Sequence, residues 1–378
     1  MTKKITLIIL AIAGLLGSLI WLMTSPGWEP LVTSIGLVAA LIAFNSQEQT
    51  IVINQGITYK DAKNIAVDVF KSNYPELSEK AAPTARQRAE ELIDDFLTKI
   101  QERKPEAINS MEDPGMQYAI FTAQKEYAKT GDKDLSDMLV DILVDRAAQQ
   151  ERNLKQIVLD ESLSIVPKLT ISQLDTLTLI FILKYLRNFQ VINIPNLKDY
   201  LNEYIAPFTA NLSKELSLYQ HLEFAGCGSI SLGFKYIEDI FLEMYKGIFC
   251  KGFTKEQFES AGHTLEQYPT LIIPCLQDAT KFQVNALNDK NLETEAKLAG
   301  LGQEQINKLT PFLNNYQMNP NEVEEIIKAQ GDFMAGLFDV WITSSLKNMT
   351  LTSVGIAIAI ANLRRKTGIT LDLGIWIK

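Results

Sequence analysis

Three consecutive cations, Arg364, Arg365 and Lys366, stand in the last stretch of the chain, LTSVGIAIAIANLRRKTGITLDLGIWIK. A guanidinium presents a planar fork of donors that matches phosphate or carboxylate bidentately. Asn362, one helix face away, carries an amide able to read a base or a sugar. Trp376 and Trp341 offer stacking planes for such a ligand. Asn362, Arg364, Arg365, Lys366 and Trp376 are therefore the candidate ligand-binding residues. The same cations also have a structural reading. Positive charge near a helix C-terminus complements the dipole, and Gly368 is placed to act as the C-cap.

Other chemistry is sparse. The two histidines, His221 and His263, are far apart in sequence, and a lone histidine is more often a hydrogen-bonded structural group than a ligand. Cys227, Cys250 and Cys275 are odd in number and show neither metal nor disulfide spacing. No H-E-x-x-H, C-x-x-C, P-loop or G-x-S-x-G motif occurs. The glycines at 226, 228 and 233 follow no clear strand, so a dinucleotide site is weakly supported. Asp94-Asp95 and Glu324-Glu325 fit solvated helix faces. We expect no catalytic residue, no metal and no cofactor, and hence a non-enzymatic protein. The formal charge of −9 argues against a surface that coats nucleic acid, so no duplex partner is expected.

The elements that must position the cluster are mostly helices. Ile5 to Met23 runs without a charge, about 28 Å of helix at ~1.5 Å per residue, close to a hydrocarbon core. Pro26 and Gly27 break it, and Pro30 to Phe44 is apolar again. Trp21 and Trp28 sit where an aromatic belt belongs. This predicts a two-helix transmembrane hairpin over 1–46, with spans at 5–23 and 30–44. Lys3 and Lys4 place the N-terminus, and so everything after the hairpin, on the cytoplasmic side of the inner membrane. A connector, 47–57, precedes a helical cytoplasmic domain, 58–378.

Within that domain Thr58 and Asp61 form a capping box opening a helix through Tyr74. Leu92, Ile93, Phe96, Leu97 and Ile100 mark one face of a helix over Pro83 to Lys104. Further helices are expected at Asp113 onward, Leu135–Arg146, Asn153–Ile165, Ser172–Phe189 and Asn196–Leu216. TLTLIFIL makes the helix over Ser172–Phe189 apolar on most sides and therefore buried. Thr254, Asn321 and Thr352 are expected helix starts. No exact internal period marks a repeat array. Gly355 and Ala359 predict a helix packed closely on its neighbour. Beyond it, ITLDLGIWIK alternates as a strand does, and TIVINQ near the membrane is its available partner. The fold class is thus mainly α: the hairpin, then an irregular multi-helix domain with a small β element near 50–54 and 369–377.

The stretch DPGMQYAIFTAQKEYAKTGDKDLSDMLVDILVDRAAQQERNLKQIVLDESLSIVPKLT and the terminal LTSVGIAIAIANLRR resemble a family of uncharacterised prokaryotic proteins. Its members carry an N-terminal membrane anchor and a helical cytoplasmic region. The similarity runs from about Ala85 to the end. That family's tail tends to have Gly-His where this chain has Ala359-Ile360, so any role of that histidine is absent here. The layout is similar to transmembrane effectors of antiphage systems, the Hailong-type effector above all. That resemblance implies a tetrameric channel governed by a nucleotide-derived ligand from a partner nucleotidyltransferase.

Two functional expectations follow. The first is an antiviral defence effector of abortive infection, an oligomeric ion channel gated by an anionic nucleotide or oligonucleotide bound to the helical domain. The second is a non-channel, membrane-tethered helical scaffold that holds a partner protein.

Overall fold

The computed structural model describes residues 57–74, 77 and 79–378. The chain divides into two units, Met1–Asn64 and Ile65–Lys378. Of the first, only residues 57–64 are described. Thr58 and Asp61 cap each other there, the Thr58 hydroxyl donating to Asp61 Oδ2 at 2.6 Å and the Asp61 amide donating to Thr58 Oγ1 at 3.2 Å. They open α1, Tyr59–Asn73.

The second unit begins with a helical stack. α2 (Ala81–Arg103) is followed by α3 (Pro114–Thr130), α4 (Lys133–Ala147) and α5 (Leu154–Ile165). Asp113, Asp132 and Asn153 each accept a first-turn amide and so start these last three helices. Leu92, Ile93, Phe96, Leu97 and Ile100 are all fully buried, as the periodicity requires. α6 (Ile171–Lys184) starts from a Thr170–Gln173 capping box and is buried from Gln173 to Leu183. It ends five residues earlier than the apolar pattern predicted. The Leu186 amide closes back on the Phe181 carbonyl, and the Asn188 amide donates to the Tyr245 hydroxyl.

α7 (Ile194–Tyr200) runs into a π turn and a 3-10 turn carrying Pro207, so the long helix expected over Asn196–Leu216 is broken. α8 (Leu216–Phe224) leads to β1 (Gly228–Ile230) and α9 (Ile237–Met244). A separate cluster then forms from α10 (Lys255–Ser260), β2 (Ile272–Pro274), β3 (Phe282–Val284), α11 (Asp289–Leu298) and α12 (Gln303–Asn314). Phe253, Phe258, Leu309 and Phe312 fill its core. α13 (Pro320–Lys328) starts at Asn319 rather than Asn321, because Pro320 occupies the first helical position and Glu322 completes the box. α14 (Asp332–Thr343), β4 (Met349–Leu351) and α15 (Ser353–Thr367) close the chain.

α15 is the central element: it packs against α4, α5 and α6. Thr352 caps its start and Gly368, left-handed at φ 74°, caps its end. β1 pairs antiparallel with β4, Gly228 opposite Leu351 and Ile230 opposite Met349. That pairing sets β1 against the start of α15. A Cβ built at Gly355 would lie 1.9 Å from the Cys227 carbonyl oxygen, so the expected close packing rests on a glycine facing backbone.

Three expectations are corrected. The membrane hairpin at 5–23 and 30–44 lies outside the described residues. Among the described residues no helix is long and apolar enough to cross a membrane. The two-span anchor and the inner-membrane placement drawn from it therefore lack structural support and are set aside. The β element near 369–377 is not a strand. Ile369 to Ile377 is irregular apart from a 3-10 turn, Leu373–Ile375, which Asp372 caps through the Gly374 amide. The proposed partner strand near 50–54 lies outside the described residues. Alternation in the tail reflects which side chains tuck inward (Leu373 and Ile377 are buried) and no ladder of backbone bonds.

Candidate functional site

Helix α15 carries four of the five expected ligand residues, and each is engaged within the chain. Asn362 is fully buried. Its amide nitrogen donates to Thr178 Oγ1 at 2.9 Å and Asp175 Oδ1 at 3.3 Å, while its Oδ1 accepts from Arg365. Arg365 pairs with Asp134 at 2.7 Å and Arg364 with Asp145 at 3.0 Å. Lys366 reaches fully buried Asp175 at 2.7 Å, donates to the Pro207 carbonyl and lies over the Phe208 ring. Asn211 adds a bond to Asp175 at 3.2 Å. The three cations thus meet three carboxylates, two on α4 and one on α6. Asn362, Arg365 and Lys366 converge on one network; Arg364 turns to another carboxylate. Trp376 stands apart from the cations, edge-on to Phe181 with its indole N–H donating to the Tyr185 carbonyl at 3.1 Å. Trp341 is fully buried and donates to the Lys235 carbonyl at 2.9 Å.

A lysine of the opposite kind lies at the end of α6. Lys184 donates to the backbone carbonyls of Lys347 and Met349, both at 2.7 Å, and its ammonium lies over the Trp341 ring. It makes no ion pair with any carboxylate among the described residues. Burial pulls its ammonium down from the ordinary 10.5 to about 8. An ammonium has three donors, and the two carbonyls use two. The site is held from both sides: α6 carries the stem, and the backbone of a 3-10 turn, Ser345–Asn348, and of β4 fixes the head.

Beside Lys184 a cavity of about 550 Å³ opens between the end of α6, the 231–236 loop, α9 and β4. Leu183, Ile240 and Met244 give it apolar walls. Phe234, on the loop, stacks edge-on with Tyr236 at 5.2 Å and carries Lys347 over its face at 4.8 Å. Lys235 lines the cavity but is neutralised by Glu243 at 2.6 Å. A hydrophobic hollow of this size, with one convergent unneutralised cation, suits a small anion bearing an apolar body. Among the described residues no group of three or more His, Cys, Asp or Glu is placed to hold a metal.

Neither Lys184 nor the 231–236 loop stood out in the sequence as a ligand site. The readable signal was a lysine directly after the apolar run LTLIFIL, where burial is forced on a charge. Its carbonyl partners lie more than 160 residues further along the chain and are backbone atoms, which no motif encodes.

Residues 56–377 match an uncharacterised protein family. Nothing in that match links the chain to Hailong-type effectors. No curated protein and no solved structure matches.

Proposed function

The chain belongs to that uncharacterised family, and from a membership that assigns no activity we propose that it acts by binding, as a receptor for a small anionic ligand held at Lys184. The observation that carries this reading is a partly buried ammonium, without a carboxylate partner among the described residues, at the wall of an apolar cavity. The anion takes the third ammonium donor, and a flat apolar body lies along Phe234 and Ile240. A nucleotide is one ligand class with both parts, an anionic group and a flat body. A base can stack on Phe234, and the phosphate can meet Lys184. A single free cation suits one phosphate or carboxylate better than a long oligonucleotide.

Calorimetric titration of the full chain with nucleoside monophosphates, cyclic dinucleotides and aromatic carboxylates tests it. Lys184→Met is expected to weaken the binding member of this set at least tenfold. A Lys184→Met protein that binds as well as the parent would remove the ammonium from the site. Native mass spectrometry of the purified protein reads any co-purified ligand, and a tetramer is the expected assembly.

The pH dependence has a definite sign. Between about pH 8 and 10.5 the unfolded chain still holds the Lys184 proton and the folded chain has released it. Raising pH through that window therefore favours the fold while removing the charge an anion needs. Affinity should fall above about pH 8 as melting temperature holds or rises; affinity constant to pH 9.5 would contradict a role for the ammonium.

A second reading, a scaffold for a protein partner, is favoured by the rim of the same cavity. Leu232 is completely exposed and Phe234 about half so. Leu232→Asp should then abolish retention of a protein that co-purifies with the chain, and leave ligand titrations unchanged.

A further inference from the structure

Arg364, assigned above to Asp145, also lines a second cleft of about 260 Å³, with Lys104, Lys155, Gln149, Asp145 and the tail at 370–373. Three elements bring its cations together. Lys104 follows the last residue of α2, Lys155 sits in the first turn of α5, and Arg364 is in the last turn of α15. Two carboxylates share the cleft and both are occupied. Asp145 accepts from Arg364 at 3.0 Å, and Asp372 accepts the Gly374 amide at 2.8 Å. Lys155 forms a long ion pair with Asp372 at 3.9 Å, beyond hydrogen-bond distance, and Lys104 has no side-chain partner among the described residues. Arg364 is itself more than nine-tenths buried, and its Nε has no hydrogen-bond partner.

We propose that this cleft is a second binding site, for a tetrahedral oxyanion of phosphate size, held by Lys104 and Lys155 with Arg364 at its base. Three observations converge. The cations outnumber the carboxylates and stand at the ends of three separate helices, so no single helix end accounts for them. Lys155 is held against the tail rather than released to solvent: a Cβ at Gly374 would come within 2.9 Å of its ammonium. The cleft is about half the volume of the Lys184 cavity, with polar and apolar groups lining it in near-equal measure, so it admits a phosphate group and not the body of a nucleotide. Asp145 orients Arg364 and leaves the two lysines to supply the charge an anion would meet. Such a group can be free phosphate or the terminal phosphate of a larger molecule.

The test is phosphorus NMR and calorimetric titration of the full chain with inorganic phosphate and, separately, with a nucleoside monophosphate, at constant ionic strength. The parent is expected to bind phosphate, and Lys104→Ala with Lys155→Ala to lose at least tenfold in affinity. The melting temperature of that variant should stay put, since neither lysine makes a strong internal bond. Lys184→Met should leave phosphate binding at this cleft intact, which separates its outcome from that of the first site. Tighter binding of the monophosphate than of phosphate, lost in the same double variant, identifies the terminal phosphate of a larger ligand as the source. Equal phosphate affinity in parent and double variant, or no binding by the parent up to 20 mM (roughly the weak limit set by about 2 kcal/mol of affinity), overturns the proposal.

Discussion

Asp175→Ala is expected to destabilise the protein by about 3–5 kcal/mol, because it removes a fully buried carboxylate that pairs with a mostly buried ammonium. Asp175 has no exposed surface and receives Lys366, Asn362 and Asn211. Without it, Lys366 faces only the Pro207 carbonyl and the Phe208 ring, and the Asn362 amide nitrogen keeps Thr178 alone. At about 2 °C per kcal/mol for a chain of this size, the melting temperature should drop roughly 6–10 °C. Removing both ends of the pair, Asp175→Leu with Lys366→Met, should recover part of the loss, since no uncompensated charge remains. Thermal unfolding followed by circular dichroism reads both variants. A single-variant loss under 1 kcal/mol would mean that α15 does not depend on this network for its seat on α6.

The second large effect is steric. Gly355→Ala adds a methyl group 1.9 Å from the Cys227 carbonyl oxygen, far inside van der Waals contact. That carbonyl cannot step aside cheaply. It accepts the Thr352 amide at 3.1 Å, and the Cys227 amide is bonded to the Leu222 carbonyl. An alanine in a helix is ordinarily favourable over glycine by roughly 0.5–1 kcal/mol. Here the sign reverses, and the loss should be about 3 kcal/mol or more, at the upper end of overpacking costs. Gly336→Ala is the contrast: it is helical too, with nothing near its Cβ position, and should stabilise slightly. Urea midpoints of the two variants should move in opposite directions. If Gly355→Ala matches the parent, β1 and α15 do not meet as described.

These two sites also show what the sequence could tell. Gly355 and Ala359 announce close packing because small residues at helical spacing have few other uses in an apolar stretch. Thr352, Gly368 and the Thr254 box are legible for a related reason: capping is local chemistry, settled within four residues. Asp175 was not legible. Its partners lie 36 to 191 positions away, and nothing at residue 175 tells a core carboxylate from a surface one. The same distance hid the partners of Arg364, Arg365 and Lys366, because Asp134, Asp145 and Asp175 reach them only after folding. The tail failed differently. ITLDLGIWIK has the period of a strand, but a strand needs a free edge beside it, and the described residues after Gly368 meet side chains and the Tyr185 carbonyl instead. Asn321 failed by two residues because a proline at the first helical position moves the cap back to Asn319.

The anchoring of Lys184 has a consequence for how its importance would be detected. Its two fixed acceptors are main-chain oxygens at 347 and 349, and every amino acid carries that same oxygen. No exchange of side chain at those positions deletes either acceptor. Scanning substitution along 345–351 would report what the buried Leu346 and Met349 and the side-chain bonds of Asn348 and Thr350 demand, and would pass the ammonium's support in silence. The dependence runs one way in sequence: a whole strand can vary in character and still hold the lysine, whereas the lysine cannot vary and still be held. A backbone ester at one of the following peptide links, which weakens the carbonyl as an acceptor without altering any side chain, is the kind of change that would expose it.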